Sequence, residues 1–281
     1  MRVKRYLFAS FCLEIRSEEV IDPSPQFDGF EGGERADLIV TVVKGKLPER
    51  PEKKLYSAEY REWFTDGENE YLYTSFYDGK KNGLYTYSCR VSGGDGITLY
   101  IDFDSLWEKM VFEALDISDL FMRRSIAVMH SSHIVCGGYS ILFTADKQVG
   151  KSTQANLWNK YAGADIINGD RAAIREINGK IYACGIPLRG SSEISLNICE
   201  PIKAVVCLGQ AKENRIRRLS PKEAFLNILG KFSYNTQNIE SLSEASEMAA
   251  LMSENIPVFY LECLPDESAV RCLECELEKL K

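Results

Sequence analysis

Residues 140–161 read SILFTADKQVGKSTQANLWNKY, and the fold turns on this stretch. SILFT (140–144) is an apolar, β-branched and aromatic run of strand length. From Thr153 to Tyr161, Ala155, Trp158 and Tyr161 recur at helical spacing, which predicts a helix with these three turned inward. Between strand and helix, ADKQVGKST (145–153) has the Walker A spacing G-x-x-x-x-G-K-[ST], with Ala145 in place of the first glycine. Alanine suits that place if its φ need not be positive.

Such a loop works through its backbone. Consecutive N–H groups in the loop and at the new helix's N-terminus converge on phosphate oxygens, and the helix dipole adds to the attraction. The residues expected to hold a nucleotide are Ala145, Asp146, Lys147, Gln148, Val149, Gly150, Lys151, Ser152 and Thr153. Gly150 lets the backbone come close, Lys151 can reach the β and γ phosphates, and the Ser152 hydroxyl can ligate Mg²⁺. The ligand implied is ATP or GTP with Mg²⁺. The plainer alternative is a strand-to-helix turn that merely contains GKST.

A phosphate loop needs a partner carboxylate at a neighbouring strand end. Asp170, in INGDR (167–171), follows a short apolar strand and fits that need. Asp165 competes, but it stands at the start of the strand. As a metal pair this leaves Ser152 and Asp170. Both histidines of the chain, His130 and His133, lie just before the loop, and imidazole is suited to proton transfer near neutral pH. His133 reads better as a strand residue satisfied by its surroundings.

Composition narrows the classes. The 281-residue chain carries a net charge of −7 with both signs interspersed, which argues against bulk nucleic-acid binding. No apolar run approaches the length of a membrane span. The basic, apolar N-terminus is broken by Glu14 and Arg16, so it reads as a strand and not a leader. Nine scattered cysteines, Cys12, Cys136, Cys184, Cys199 and Cys207 among them, fit buried reduced thiols in a cytoplasmic protein. Cys272 and Cys275, with Cys263 upstream, have metal-like spacing, but they fall in a helical pattern whose buried stripe is Val270, Leu273, Leu277 and Leu280.

The organisation is α/β, with a β-rich N-terminal domain over 1–120 and a nucleotide-binding domain over 121–281. Strands are expected at 6–15 and 38–43, an exposed connection at 46–60, and antiparallel hairpins across 71–103 at Asp78-Gly79, Asn82-Gly83 and 93–96. The aromatic residues from Tyr71 to Tyr87 read as sheet core. A helix capped by Asp104 or Ser105 should run to Leu115, with Trp107, Met110, Val111 and Ala114 on its buried face. Further strands are expected at 125–129, 134–136, 165–167, 203–208 and 258–262, with a hairpin at Asn178-Gly179. Ser220-Pro221-Lys222-Glu223 predicts a helix start with a capping box. Helices at 242–253 and from Asp266 complete the chain.

Four landmarks occur in order: His130, the loop ADKQVGKST, the strand end NGDR (168–171) and the turn GIPLRGSS (185–192). With them, residues 125–260 resemble the HPr kinase/phosphorylase catalytic domain, which shares its P-loop fold with phosphoenolpyruvate carboxykinase. The stretch from Pro201 through AVVCLGQAKENRIRRLSPKEAF resembles a branch associated with peptide-maturation gene clusters that contain radical enzymes. The resemblance implies a serine phosphotransferase acting on a peptide or small protein, and it allows a homo-oligomer. Its catalytic residues would be His130, Asp146, Lys151, Asp170 and Arg171. In the family the strand end reads Asp-Asp-Arg, the first Asp serving as general base and the second binding metal. Here Gly169 takes the first place, while Asp170 and Arg171 match, and Asp146 matches an aspartate inside the family's loop. His130 could supply the missing base. Arg189, Gly190 and Ser191 would bind substrate, since a planar guanidinium grips acidic groups in a bidentate way. Lys212, Arg215, Arg217 and Arg218 form a basic cluster that reads as a solvated strand end. Loss of the family base leaves a second reading open, a catalytically weak nucleotide-binding adaptor. A decarboxylating transferase lacks the required His/Lys metal cluster.

Overall fold

The computed structural model describes residues 1–94, 96–103, 105–146, 148–188, 190 and 193–280. The chain divides into two compact units, Met1–Ile117 and Ser118–Lys281. Both contain β-sheet and helix, so the class is mixed α/β. Among the described residues no helix is long and apolar enough to cross a membrane.

The first unit is built on strands β1 (Arg2–Phe8), β2 (Phe11–Ser17), β3 (Leu38–Lys44), β4 (Lys53–Ala58), β5 (Arg61–Thr65), β6 (Glu70–Asp78), β7 (Gly83–Gly93) and β8 (Gly96–Ile101). They form one sheet in the order β1-β2-β3-β8-β7-β6-β5-β4. The single strand expected at 6–15 is instead a hairpin whose turn, Ala9-Ser10, takes φ of 51° and 53°. Neither residue favours that region, so the local sequence hides the turn. The connection expected at 46–60 contains the exposed edge strand β4. Of the aromatics read as core, Tyr73 and Tyr87 are buried, but Tyr77 is exposed.

Helix α1 (Glu108–Leu115) starts later than expected, with Trp107 as an exposed N-cap instead of a core residue. The cap position Asp104 lies outside the described residues. Glu108 sets the start. Its buried carboxylate accepts from Lys4 Nζ at 2.8 Å, Tyr6 Oη at 2.6 Å and the Ser24 amide at 2.7 Å. A buried charge persists only when paired this fully.

The second unit opens near the short helix α2 (Ile117–Met122) and contains strands β9 (Ile126–His130), β10 (Ser132–Cys136), β11 (Tyr139–Thr144), β12 (Asp165–Asn168), β13 (Arg171–Ile177), β14 (Lys180–Cys184), β15 (Cys199–Gln210), β16 (Arg215–Arg218) and β17 (Val258–Cys263). Its helices are α3 (Lys151–Ala162), α4 (Pro221–Leu229), α5 (Ile239–Asn255) and α6 (Glu267–Leu277). The strands make one branched sheet. β11, β15 and β17 run parallel at its centre, β10 and β12 extend one side, and β14, β13 and β9 leave from the start of β15.

Side-chain alternation explains why the central strands read as unbroken apolar runs. Ala204, Val206 and Leu208 of β15 face α3 and α6 with Ile141 and Phe143, while Val205 and Cys207 face α4 and α5 with Leu142. Both faces are covered, so no polar alternation survives. α4 carries the expected capping box, with Glu223 N donating to Ser220 Oγ at 3.4 Å and Ser220 N donating to Glu223 at 3.0 Å. Asn178 and Gly179, at φ of 52° and 77°, turn β13 into β14.

The cysteine reading needs correction. Cys184 and Cys199 are bonded as a disulfide. They are antiparallel partners on β14 and β15 with Cα atoms 4.0 Å apart, a juxtaposition that a separation of 15 residues in sequence does not reveal. Cys263 Sγ meets Gln154 Nε2 at 3.2 Å, and Cys275 stands exposed on α6. Among the described residues no group of three or more His, Cys, Asp or Glu side chains gathers as a metal site.

Candidate functional site

Strand, loop and helix follow one another in the expected order: β11 ends at Thr144, and α3 starts at Lys151. β11 is buried on both faces, which fixes where the loop begins. Gly150 is the N-cap of α3, with φ of 125°, and no side chain caps the helix. A Cβ at Gly150 would be strained by that backbone angle alone. The amides at the helix start are therefore not taken by a capping side chain, which is the arrangement an anion needs. Gln148 also takes a positive φ, 66°. The carbonyls of Gln148 and Val149 accept from Gln210 Nε2, each at 3.3 Å, so the end of β15 holds the outside of the loop. Ser152 and Thr153 are exposed in the first turn. Lys147 lies outside the described residues.

Lys151 folds back across the loop. Its Nζ is 3.5 Å from Ala145 O and 3.0 Å from His130 Nε2. An ammonium has only donors, so Nε2 accepts and the ring proton sits on Nδ1. Nδ1 faces Asp170 Oδ1 at 3.3 Å, and Asp170 Oδ2 lies 3.4 Å from Arg171 Nε. Lys151, His130, Asp170 and Arg171 thus form one polar chain.

Backbone register puts these groups together. His130 ends β9 and pairs with Arg171 at the start of β13. The Asn168 carboxamide oxygen accepts from the amides of Asp170 at 2.9 Å and Arg171 at 3.0 Å, fixing the turn that aims the carboxylate. Gly169 is buried, and its carbonyl accepts from Ser132 Oγ at 2.8 Å. Gly190 packs on Asp170: a Cβ there would stand 2.8 Å from both Cβ and Cγ of the aspartate. Arg189 and Ser191 lie outside the described residues.

The electrostatics follow from partial burial and crowding of cations. Burial holds Lys151 below the ordinary lysine value, with Lys231 adding to the effect and Asp170 opposing it. Burial also lowers His130 below 6.5; Lys151, Arg171 and Lys231 reinforce this, and Asp170 opposes it. His130 is therefore neutral at pH 7 and able to accept a proton. His133 is wholly buried, pushed down to about 3 by desolvation, and its Nε2 lies 2.8 Å from Ser140 Oγ. That places it in the core, away from proton transfer.

Lys231 was not among the residues singled out from sequence. It follows α4, and its Nζ meets Asp146 Oδ1 at 2.6 Å. Nothing around Gly230-Lys231 marks the position, because only the fold brings it to the loop. Within the basic cluster, Arg215 pairs with Glu213, and Arg217 with Glu223 at 2.9 Å.

The oxygens of Ser152 and Asp170 are hard donors suited to Mg²⁺, an ion that keeps water and phosphate oxygens as most of its ligands. No family model and no curated protein matches the chain. Among solved structures the chain is similar to the HPr(Ser) kinase/phosphatase from Coxiella burnetii, with 13% identity and a TM-score of 0.32, over 54% of this chain and 93% of that one.

Proposed function

We propose that the second unit binds a nucleoside triphosphate at the 145–153 loop and transfers its terminal phosphoryl group to a hydroxyl, in the first instance a serine of a peptide or small protein. The observation that carries this reading is the chain Lys151–His130–Asp170, which sets an ammonium, a neutral imidazole and a carboxylate side by side at the mouth of an uncapped helix. Phosphoryl transfer depends chiefly on positioning and charge neutralisation, and these groups supply both. Lys151 and the loop amides hold the phosphate chain. Once Lys151 turns to phosphate, His130 Nε2 is free to accept the proton of the attacking hydroxyl. Asp170 keeps the ring in the Nδ1–H tautomer and stabilises the imidazolium that forms. Mg²⁺ held by Ser152 and Asp170 would neutralise charge on the β and γ oxygens. The reading fits a cytoplasmic setting, where nucleoside triphosphates are plentiful.

The test is transfer of label from γ-labelled ATP or GTP to serine-containing peptides. Phosphoserine in the product supports the reading, whereas tight nucleotide binding without transfer supports the adaptor. His130→Gln should slow transfer by about 10²-fold while leaving nucleotide affinity nearly unchanged. The wild-type rate should be flat above neutral pH and fall as pH drops through a midpoint below 6.5, because protonation removes the base. A rate that keeps this acid limb in His130→Gln would rule the imidazole out as base.

A further inference from the structure

The geometry points to Lys231 as a second phosphate-binding cation, held on Asp146 in the free protein and turned to the terminal phosphate when nucleotide binds; this rests on the nucleotide reading above. Its position is built into the fold. The Lys231 amide donates to Ile228 O at 2.9 Å, and its carbonyl accepts from the His130 amide at 2.8 Å. Just beyond it, Phe232 bridges Met129, and the Ser233 amide donates to Val128 O at 2.8 Å. The segment after α4 is thus stitched to the strand that ends in His130, and Lys231 cannot drift from the site as a surface lysine could.

The side chain is equally directed. Lys231 is only 21% exposed, whereas its partner Asp146 is 88% exposed. An ion pair with so exposed a carboxylate contributes little and is readily exchanged for a stronger anion. Asp146, on which Lys231 Nζ rests at 2.6 Å, stands in the same loop that Lys151 closes, and the Lys231 charge acts on both Lys151 and His130. Like charges that act on one another in this way are relieved when a polyanion binds both. Since Lys151 reaches toward the β and γ positions, Lys231 serves that same end of the phosphate chain and distinguishes a triphosphate from a diphosphate.

The experiment measures ATP and ADP affinities of the full chain for wild type, Lys231→Gln, Asp146→Asn and Lys151→Ala. Lys231→Gln should lose about tenfold in ATP affinity, the order expected for a charge-assisted hydrogen bond to phosphate, with a much smaller change for ADP. Asp146→Asn, at an exposed position, frees Lys231 and should tighten ATP binding. An unchanged ATP-to-ADP ratio in Lys231→Gln, or unchanged ATP affinity in Asp146→Asn, overturns the assignment. If Lys151→Ala weakens ATP while Lys231→Gln keeps the ratio, only the Lys231 assignment fails. If wild type and Lys151→Ala bind ATP alike, the nucleotide reading fails and Lys231 falls with it.

Discussion

Lys151→Ala is expected to weaken nucleotide binding by about 10- to 100-fold, the range for hydrogen bonds to charged groups. Phosphoryl transfer should fall further, by about 10²- to 10³-fold, because charge on the phosphate oxygens is greatest at the point of transfer. The substitution should leave the fold intact. The Lys151 ammonium is partly buried and lies near the like charge of Lys231, and both conditions depress its proton affinity. A lysine whose folded-state value is depressed costs the native state stability wherever it is charged, and the cost fades as pH rises through that depressed value and is gone above the ordinary one. Removing it should therefore not lower the melting temperature at pH 7. Lys151→Arg is no substitute, since a planar fork does not fit a place made for a point charge. Titration calorimetry with ATP, read beside a thermal melt, separates the outcomes. Equal affinity in wild type and Lys151→Ala would remove the loop from consideration as a phosphate site.

The largest effect on stability should come from Gly185→Ala. A Cβ at this position would stand 1.8 Å from the Leu196 carbonyl oxygen and 3.0 Å from Ile167 Cγ2. The oxygen belongs to backbone that is tied down at several points. The Gly185 amide donates to Ile198 O at 2.8 Å, and the Leu196 amide donates to Ile167 O at 3.0 Å. The clash can be relieved only by parting these backbone segments, at a cost of about 3 kcal/mol or more. For a chain of this size that lowers the melting temperature by roughly 10 °C. Gly163→Ala is the control. Gly163 closes α3 in the left-handed region at φ of 66° with nothing within 4 Å, so only backbone strain is at stake, about 1 kcal/mol. Gly185→Ala melting with wild type would show that the backbone does not approach so closely.

The strand, loop and helix across 139–162 were legible because their signals are local. An apolar strand, a glycine–lysine pair and a helix pattern follow one another across residues 140–161, and β11 and α3 lie where those signals put them. The capping box at Ser220 and the Asn178-Gly179 turn belong to the same class. What escaped notice depends on distant segments. Lys231 lies 85 residues from Asp146 in sequence, and no pattern near either residue announces their pairing. The Cys184–Cys199 bond follows from strand register, and the Ala9-Ser10 turn from packing that overrides poor turn residues. Trp107 was misplaced for a related reason. Its helical spacing is sound, but Glu108, anchored by three partners from elsewhere in the first unit, starts the helix after it.

One strand has a role beyond pairing. β15 runs for twelve residues, about 40 Å of extended chain, from the disulfide-bonded partner of β14 to the glutamine that grips the loop carbonyls. It behaves as a ruler, setting the span between the 185–198 segment and the loop that precedes α3. Because side chains alternate faces, inserting a single residue would invert every marking on that ruler, and an intact span leaves room to vary only what lies beyond its two ends.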